Sequence, residues 1–214
     1  MTNEEKGAFC AFAASLLTEP DAEMVASLDQ EGVGSLLDGC VRACGGDEDL
    51  AALFIGQSRR DGFLTDIQAE YARLFGPWEG RKISLVESTY KPWTADKTCP
   101  LGFSGEKGLL MGDCALHIQN IFRTLSLKVP PDFLGMPDHL VLELELLSYL
   151  YRFASEDQIG QFIEDHLDWI PNLRDELQRA DPGFYGRAVE RLLDFLNRER
   201  PYSKEGQNES QSLH

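Results

Sequence analysis

Apolar residues recur at helical spacing along most of the chain. Phe9, Phe12, Ala13, Leu16 and Leu17 follow the i, i+3, i+4, i+7, i+8 pattern of one helix face. Thr18, with Asp21 three residues on and Pro20 in the first turn, predicts the cap of a second helix that stops at Gly32. A third is expected from about Gly34 to Cys44, ended by Gly45-Gly46. Asp47 then caps a fourth carrying Leu50, Leu53 and Phe54. Asp61 caps a fifth, on which Leu64, Ile67, Tyr71, Leu74 and Phe75 share a face. Gly76-Pro77 terminates it, Gly in the left-handed conformation and Pro unable to continue the ladder.

Residues 76–108 sustain no period and are rich in Gly, Pro, Trp and Lys. A long irregular stretch inside a compact domain is typically functional or mobile. Ile83 to Tyr90 comes nearest to strand alternation and is short. Helix resumes near Leu109, with Met111, Cys114, Ile118, Ile121, Phe122 and Leu125 on one face, and Pro130-Pro131 closes the segment. Pro137 opens the next helix, where a missing N–H is tolerated. From Leu140 to Phe153 that helix is apolar almost all round, interrupted by Glu143, Glu145, Ser148 and Arg152, which predicts a central place in the core. Ser155 and Gln158 form a capping box for a helix with Ile159, Phe162, Ile163 and Leu167 on its face. One more passes through Leu173 and Leu177, and Asp181-Pro182 starts the last, carrying Tyr185, Ala188, Val189, Leu192 and Leu196. The fold class is therefore all-α, a single helical bundle of about ten helices over residues 1–200. Residues 201–214 read as a disordered polar tail.

Charge narrows the partners. Twenty basic and 36 acidic residues among 214 give a formal net charge of −16. Such a field repels a phosphate backbone, so nucleic acid is excluded, while a basic peptide is favoured. The polar start, Met1 to Lys6, is unlike a secretory signal, and no apolar run has the length of a membrane span, so a soluble cytoplasmic protein is expected. Five cysteines at irregular spacing (10, 40, 44, 99 and 114) do not resemble a disulfide framework.

Candidate chemistry is sparse. Cys40 and Cys44 lack a second ligand pair for a zinc site, and Cys114 with His117 reads as structural, so no metal or cofactor is expected. Gly102 to Gly108 lacks the spacing and preceding strand of a phosphate loop. There is no GxSxG elbow. Asp138-His139 stands apart. Asp138 falls in the first turn of a helix, where an anion is favoured, and His139 titrates near neutrality. Helix physics fits a cap with a hydrogen-bonded histidine. It also fits a polar grip at the mouth of an apolar groove. A hydrolase using Asp138 and His139 would need a nucleophile that is not visible.

In order along the chain, Tyr71-Ala72-Arg73-Leu74-Phe75-Gly76-Pro77, Glu87-Ser88-Thr89-Tyr90, Met111-Gly112-Asp113, Pro137-Asp138-His139-Leu140 with Glu143-Leu144-Glu145, and His166-Leu167-Asp168-Trp169-Ile170-Pro171 resemble the TorD/DmsD/NarJ family of cytoplasmic redox-enzyme maturation chaperones. The resemblance covers roughly residues 60 to 170. Leu85-Val86-Glu87-Ser88 stands where the DmsD-like branch has Pro-Trp-Gly-Ser, which points to the TorD-like branch. It implies a non-enzymatic chaperone that binds the catalytic subunit of a molybdenum- or tungsten-containing, molybdopterin-type oxidoreductase. Binding would often run through a twin-arginine signal peptide, with the subunit held for cofactor insertion before export or assembly. An alternative is an assembly factor for a reductase that is never exported. By the same resemblance Asp138 and His139 match a peptide-binding pair, Ser88 a middle-loop serine, Gly112 a glycine before the next helix, and Leu74-Phe75 a hydrophobic lip. The expected client-binding set is Leu74, Phe75, Glu87, Ser88, Tyr90, Gly112, Asp113, Pro137, Asp138, His139 and Glu143, with Glu87 helping to hold a basic partner. Some relatives exchange helices between subunits, so a monomer or a helix-exchanged dimer is expected.

Overall fold

The computed structural model describes residues 1–28, 32, 34, 36, 39, 58–76, 82–180 and 183–200. Among these it is all-α. Eight helices follow in order: α1 (Asn3–Leu16), α2 (Ala22–Leu28), α3 (Phe63–Leu74), α4 (Asp113–Thr124), α5 (Leu140–Phe153), α6 (Glu156–His166), α7 (Ile170–Ala180) and α8 (Phe184–Glu199). Two single 3₁₀ turns, Glu87–Thr89 and Pro131–Phe133, sit between α3 and α5. The number of helices is slightly below the expected ten. The expected elements over residues 40–57 and the tail 201–214 lie outside the described residues, as do Asp181-Pro182.

Local chemistry explains where the helices begin. Thr2 and Glu5 close a capping box at α1, and Ser155 and Gln158 close the expected one at α6. Asp21, not Thr18, caps α2 by accepting from the Met24 N–H at 2.8 Å, while the Thr18 hydroxyl turns back onto the Ser15 carbonyl. Gly32, Gly34, Leu36 and Gly39 have helical backbone, and the residues between Leu28 and Gly32, where the expected stop would show, lie outside the described residues. At α3 the cap is Gly62, at φ 83°, rather than Asp61. Gly76 is not left-handed; it is needed for close approach, because a Cβ there would meet the Ala72 carbonyl oxygen at 2.5 Å. Helix does not resume at Leu109 but at Asp113. Ile83 to Tyr90 makes no strand; Val86 alone forms an isolated antiparallel bridge to His139.

α5 is the central element, as its all-round apolarity predicts. Nine of its fourteen residues are buried, and Leu140 to Leu144 are buried consecutively, which places protein on every side. α1 has its most extensive interface with α5. The approach is close: a Cβ on Gly7 would stand 3.1 Å from the Ser148 carbonyl oxygen. α8 joins them, with Phe195 against Phe9 (4.7 Å between ring centres) and Glu199 accepting from Tyr151 (3.0 Å) and Lys6 (2.7 Å). The far end of α8 is held by α3. Its cap residue Gly183 has no side chain to offer, so Glu70 of α3 accepts from the Phe184 and Tyr185 N–H groups, both at 3.1 Å. Each fully buried leucine in this bundle contributes about 1.5–3 kcal/mol. No described helix is long and apolar enough to cross a membrane.

Candidate functional site

The loop after α3 is lashed to the start of α5 by backbone bonds. The Leu140 N–H donates to the Leu85 carbonyl at 2.8 Å, and the Glu87 N–H to the Asp138 carbonyl at 3.0 Å. Asp138 completes the clamp, its Oδ2 accepting from the Ser88 N–H at 2.7 Å. The start of α5 thus differs from the sequence expectation. Pro137 and Asp138 lie in a turn before the helix, and His139 is the cap, its Nδ1 accepting from the Val141 N–H at 3.2 Å. Asp138 serves the loop rather than the helix macrodipole. Burial also pushes His139 down to about 4, so it does not titrate near neutrality. Asp138 and His139 are turned to different partners, which is not the geometry of an Asp–His dyad.

Behind the clamp lies a charged cluster with no exposure to solvent. Glu87, Ser88, Asp138 and Glu143 are all 0 % exposed. Glu87 divides its two oxygens: Oε1 accepts from Lys91 Nζ at 2.6 Å, and Oε2 faces His166 Nδ1 at 2.9 Å. His166 Nε2 meets Nδ1 of exposed His117 at 2.8 Å. Lys91 also reaches the Asp165 carbonyl at 2.7 Å and Asp168 at 2.6 Å. Burial opposes its charge, but the Glu87 and Asp168 carboxylates more than offset that and hold it above the usual lysine range. Trp169 donates to the His166 carbonyl at 2.8 Å and to Glu143 Oε2 at 3.3 Å, and its ring stacks on Tyr90 at 4.9 Å. The Tyr90 hydroxyl bonds the Ser84 carbonyl and Glu176.

Glu143 is the least comfortable member. Burial, then the adjacent Glu87 carboxylate, pushes its carboxyl well above the usual carboxylate range. A hydrogen bond between the two carboxyls exists only if one carries a proton. Oε1 of Glu143, Oδ1 of Asp138 and the Ser88 hydroxyl receive no hydrogen-bond partner. Cys114 Sγ stands 3.7 Å from Asp138 Oδ2, and burial with the nearby Glu87 and Asp138 charges pushes its thiol up to about 12, unlike a nucleophile.

The expected residues divide by location. Glu87, Ser88, Asp138 and Glu143 meet in this cluster, and Tyr90 flanks it through Trp169. Pro137, before the clamp, is buried. Gly112 is buried where its backbone touches the loop: a Cβ there would stand 2.5 Å from the Trp93 carbonyl oxygen, which accepts from the Asp113 N–H at 2.8 Å. Asp113 is exposed and binds the Thr94 hydroxyl and Ala95 N–H. Leu74 and Phe75 lie elsewhere. Leu74 is in the core, and Phe75 packs edge-on against Tyr71 and Tyr185. Residue spacing did not reveal Lys91 and His117 as members of the cluster. Their signal is indirect: Glu143 inside an apolar helix demands partners from elsewhere.

The chain is similar to known proteins. The family model described as "Nitrate reductase delta subunit" matches residues 44–175. The chain is 24 % identical over 153 residues to a protein named "Chaperone protein TorD" from Shewanella piezotolerans, covering 71 % of this chain and 68 % of that one. The matched span contains the clamp, the buried cluster and the His166–Trp169 segment. This chain belongs to the nitrate reductase delta subunit family, the TorD/NarJ family of redox-enzyme maturation chaperones.

Proposed function

We propose that this protein is a cytoplasmic chaperone for the catalytic subunit of a molybdenum- or tungsten-containing oxidoreductase, binding its basic signal peptide and holding it for cofactor insertion. One observation carries the reading. Loop residues 87–90, the Asp138 turn, Glu143 and the His166–Trp169 segment, far apart in sequence, converge on one buried cluster within the span that matches the family. A buried cluster of this kind fixes the shape of the surface above it without touching the client.

The roles then separate by exposure. Glu87, Ser88, Pro137, Asp138 and Glu143 hold the loop and the start of α5 in place. Half-buried Tyr90 and His139 and exposed Asp113 have surface with which to meet a client. His139 packs against Phe133 (4.9 Å between ring centres), next to Leu134, which is 62 % exposed. Exposed Leu134 close in sequence to exposed Asp132, on a chain of net charge −16, complements a peptide that pairs arginines with an apolar segment. A second reading is assembly of a reductase subunit that is not exported; the family's description names nitrate reductase as the enzyme class. Whether the captured client carries a twin-arginine leader separates the two.

Affinity capture from the native host tests the proposal. Mass spectrometry is expected to identify a molybdopterin-type catalytic subunit, with less of it retained by His139→Ala at unchanged helical circular dichroism. Capture that repeatedly returns no such subunit contradicts the proposal.

A further inference from the structure

The buried cluster gathers three carboxyl groups around few hydrogen-bond donors. Glu87, Asp138 and Glu143 are all without solvent, and of the three only Glu87 bonds the Lys91 ammonium among the described contacts. Water cannot screen the remainder, so Glu143 either keeps a proton, as its raised carboxyl value fits, or gives it up to a bound cation. Oε1 of Glu143, fully buried, has no hydrogen-bond donor. One ligand atom from each of Glu87, Glu143 and His166 lies within 4.8 Å of the others.

We propose that Glu87, Glu143 and His166 form a binding site for a divalent transition-metal ion, with zinc the best fit to two carboxylates and one imidazole. Zinc bonds of about 2.0–2.2 Å put neighbouring tetrahedral ligand atoms roughly 3.4 Å apart. Glu87 Oε2 and His166 Nδ1, at 2.9 Å, are already close to that spacing. The three ligand atoms, within 4.8 Å of one another, would have to draw together around the ion.

The surroundings match those of a metal site. Ligands in such sites are themselves oriented by an outer ring of hydrogen bonds. His166 Nδ1 can present its lone pair to the ion while its Nε2–H donates to His117 Nδ1. Glu87 is steadied through its other oxygen by Lys91, and Glu143 through its other oxygen by Trp169. Each of the three is held on one side, and Glu87 Oε2 and His166 Nδ1 would exchange their mutual hydrogen bond for bonds to the ion. His117, exposed on α4, links His166 to the surface. A bound ion would join the middle loop, the centre of α5 and the end of α6.

The test uses the full-length protein, stripped with chelator and dialysed against buffered Zn²⁺, with metal content read by elemental analysis. One zinc per chain is expected on the wild type and none on Glu143→Gln, which fills the same volume with one charge fewer. Replacing Cys40 and Cys44 by Ser should leave the zinc in place. Should Glu143→Gln fail to fold, His117→Ala on the surface is expected to bind zinc about 10- to 100-fold more weakly. The proposal is overturned if the wild type retains no zinc, if Glu143→Gln keeps it, if the Cys40/Cys44 change removes it, or if His117→Ala binds undiminished.

Discussion

His139 ties the stability of this fold to pH in a way that can be worked out in advance. Its ring caps α5 through a neutral Nδ1, and burial holds its folded-state value at about 4 against an ordinary 6.5. The unfolded chain therefore binds a proton that the folded chain refuses throughout that window. Stability contributed by the neutral ring is fully present above about pH 6.5 and is lost as pH falls towards 4. Protonation also destroys the acceptor for the Val141 N–H. Integrating the linkage gives a loss of about 2 kcal/mol at pH 5 and about 3 kcal/mol once pH drops below 4. For a chain of this size each kcal/mol moves the melting temperature by about 2–4 °C. The comparison is urea unfolding of the wild type and His139→Asn at pH 7.5 and pH 5. Asn caps a helix but does not titrate. Other groups titrate equally in both proteins, so the wild type should lose about 2 kcal/mol more than the variant between the two pH values. Parallel losses would refute the assignment of a neutral His139 capping α5.

Two further substitutions probe the clamp and its approach to the loop. Asp138→Ala strands the Ser88 N–H without an acceptor in a buried site, and a loss of about 1–3 kcal/mol is expected in chemical denaturation, with faster amide exchange at Ser88. Gly112→Ala drives a Cβ into the Trp93 carbonyl oxygen, so it should destabilise by about 1–3 kcal/mol and expose Trp93 to fluorescence quenchers, whereas Gly105→Ala, with open space around it, should do neither.

Much of the helical frame is written in local pattern. The capping box at Ser155 and the unbroken apolar run of α5 each carry their own signal, and both appear where expected. Displaced boundaries have non-local causes. Asp138 leaves the helix because a backbone N–H fifty positions away, on Ser88, takes its carboxylate. α8 is capped by Glu70 from another helix, which no inspection of residues near 183 could show. The candidate site was half legible. Its loop and turn residues stand out as motifs, but their burial does not, and the bond between Glu87 and His166 spans 79 positions. The carboxylate of Glu143 looked like an interruption in an apolar helix. Its position among Glu87, His166 and Trp169 makes it part of the reason the site exists.

The central claim is that this chain holds an immature redox-enzyme subunit. The most direct measurement is binding of the purified protein to the catalytic subunit of its host's molybdenum or tungsten oxidoreductase, prepared once without cofactor and once loaded. The account predicts a stable complex with the cofactor-free subunit and little or none with the loaded one. Equal affinity for both forms, or for neither, would contradict it.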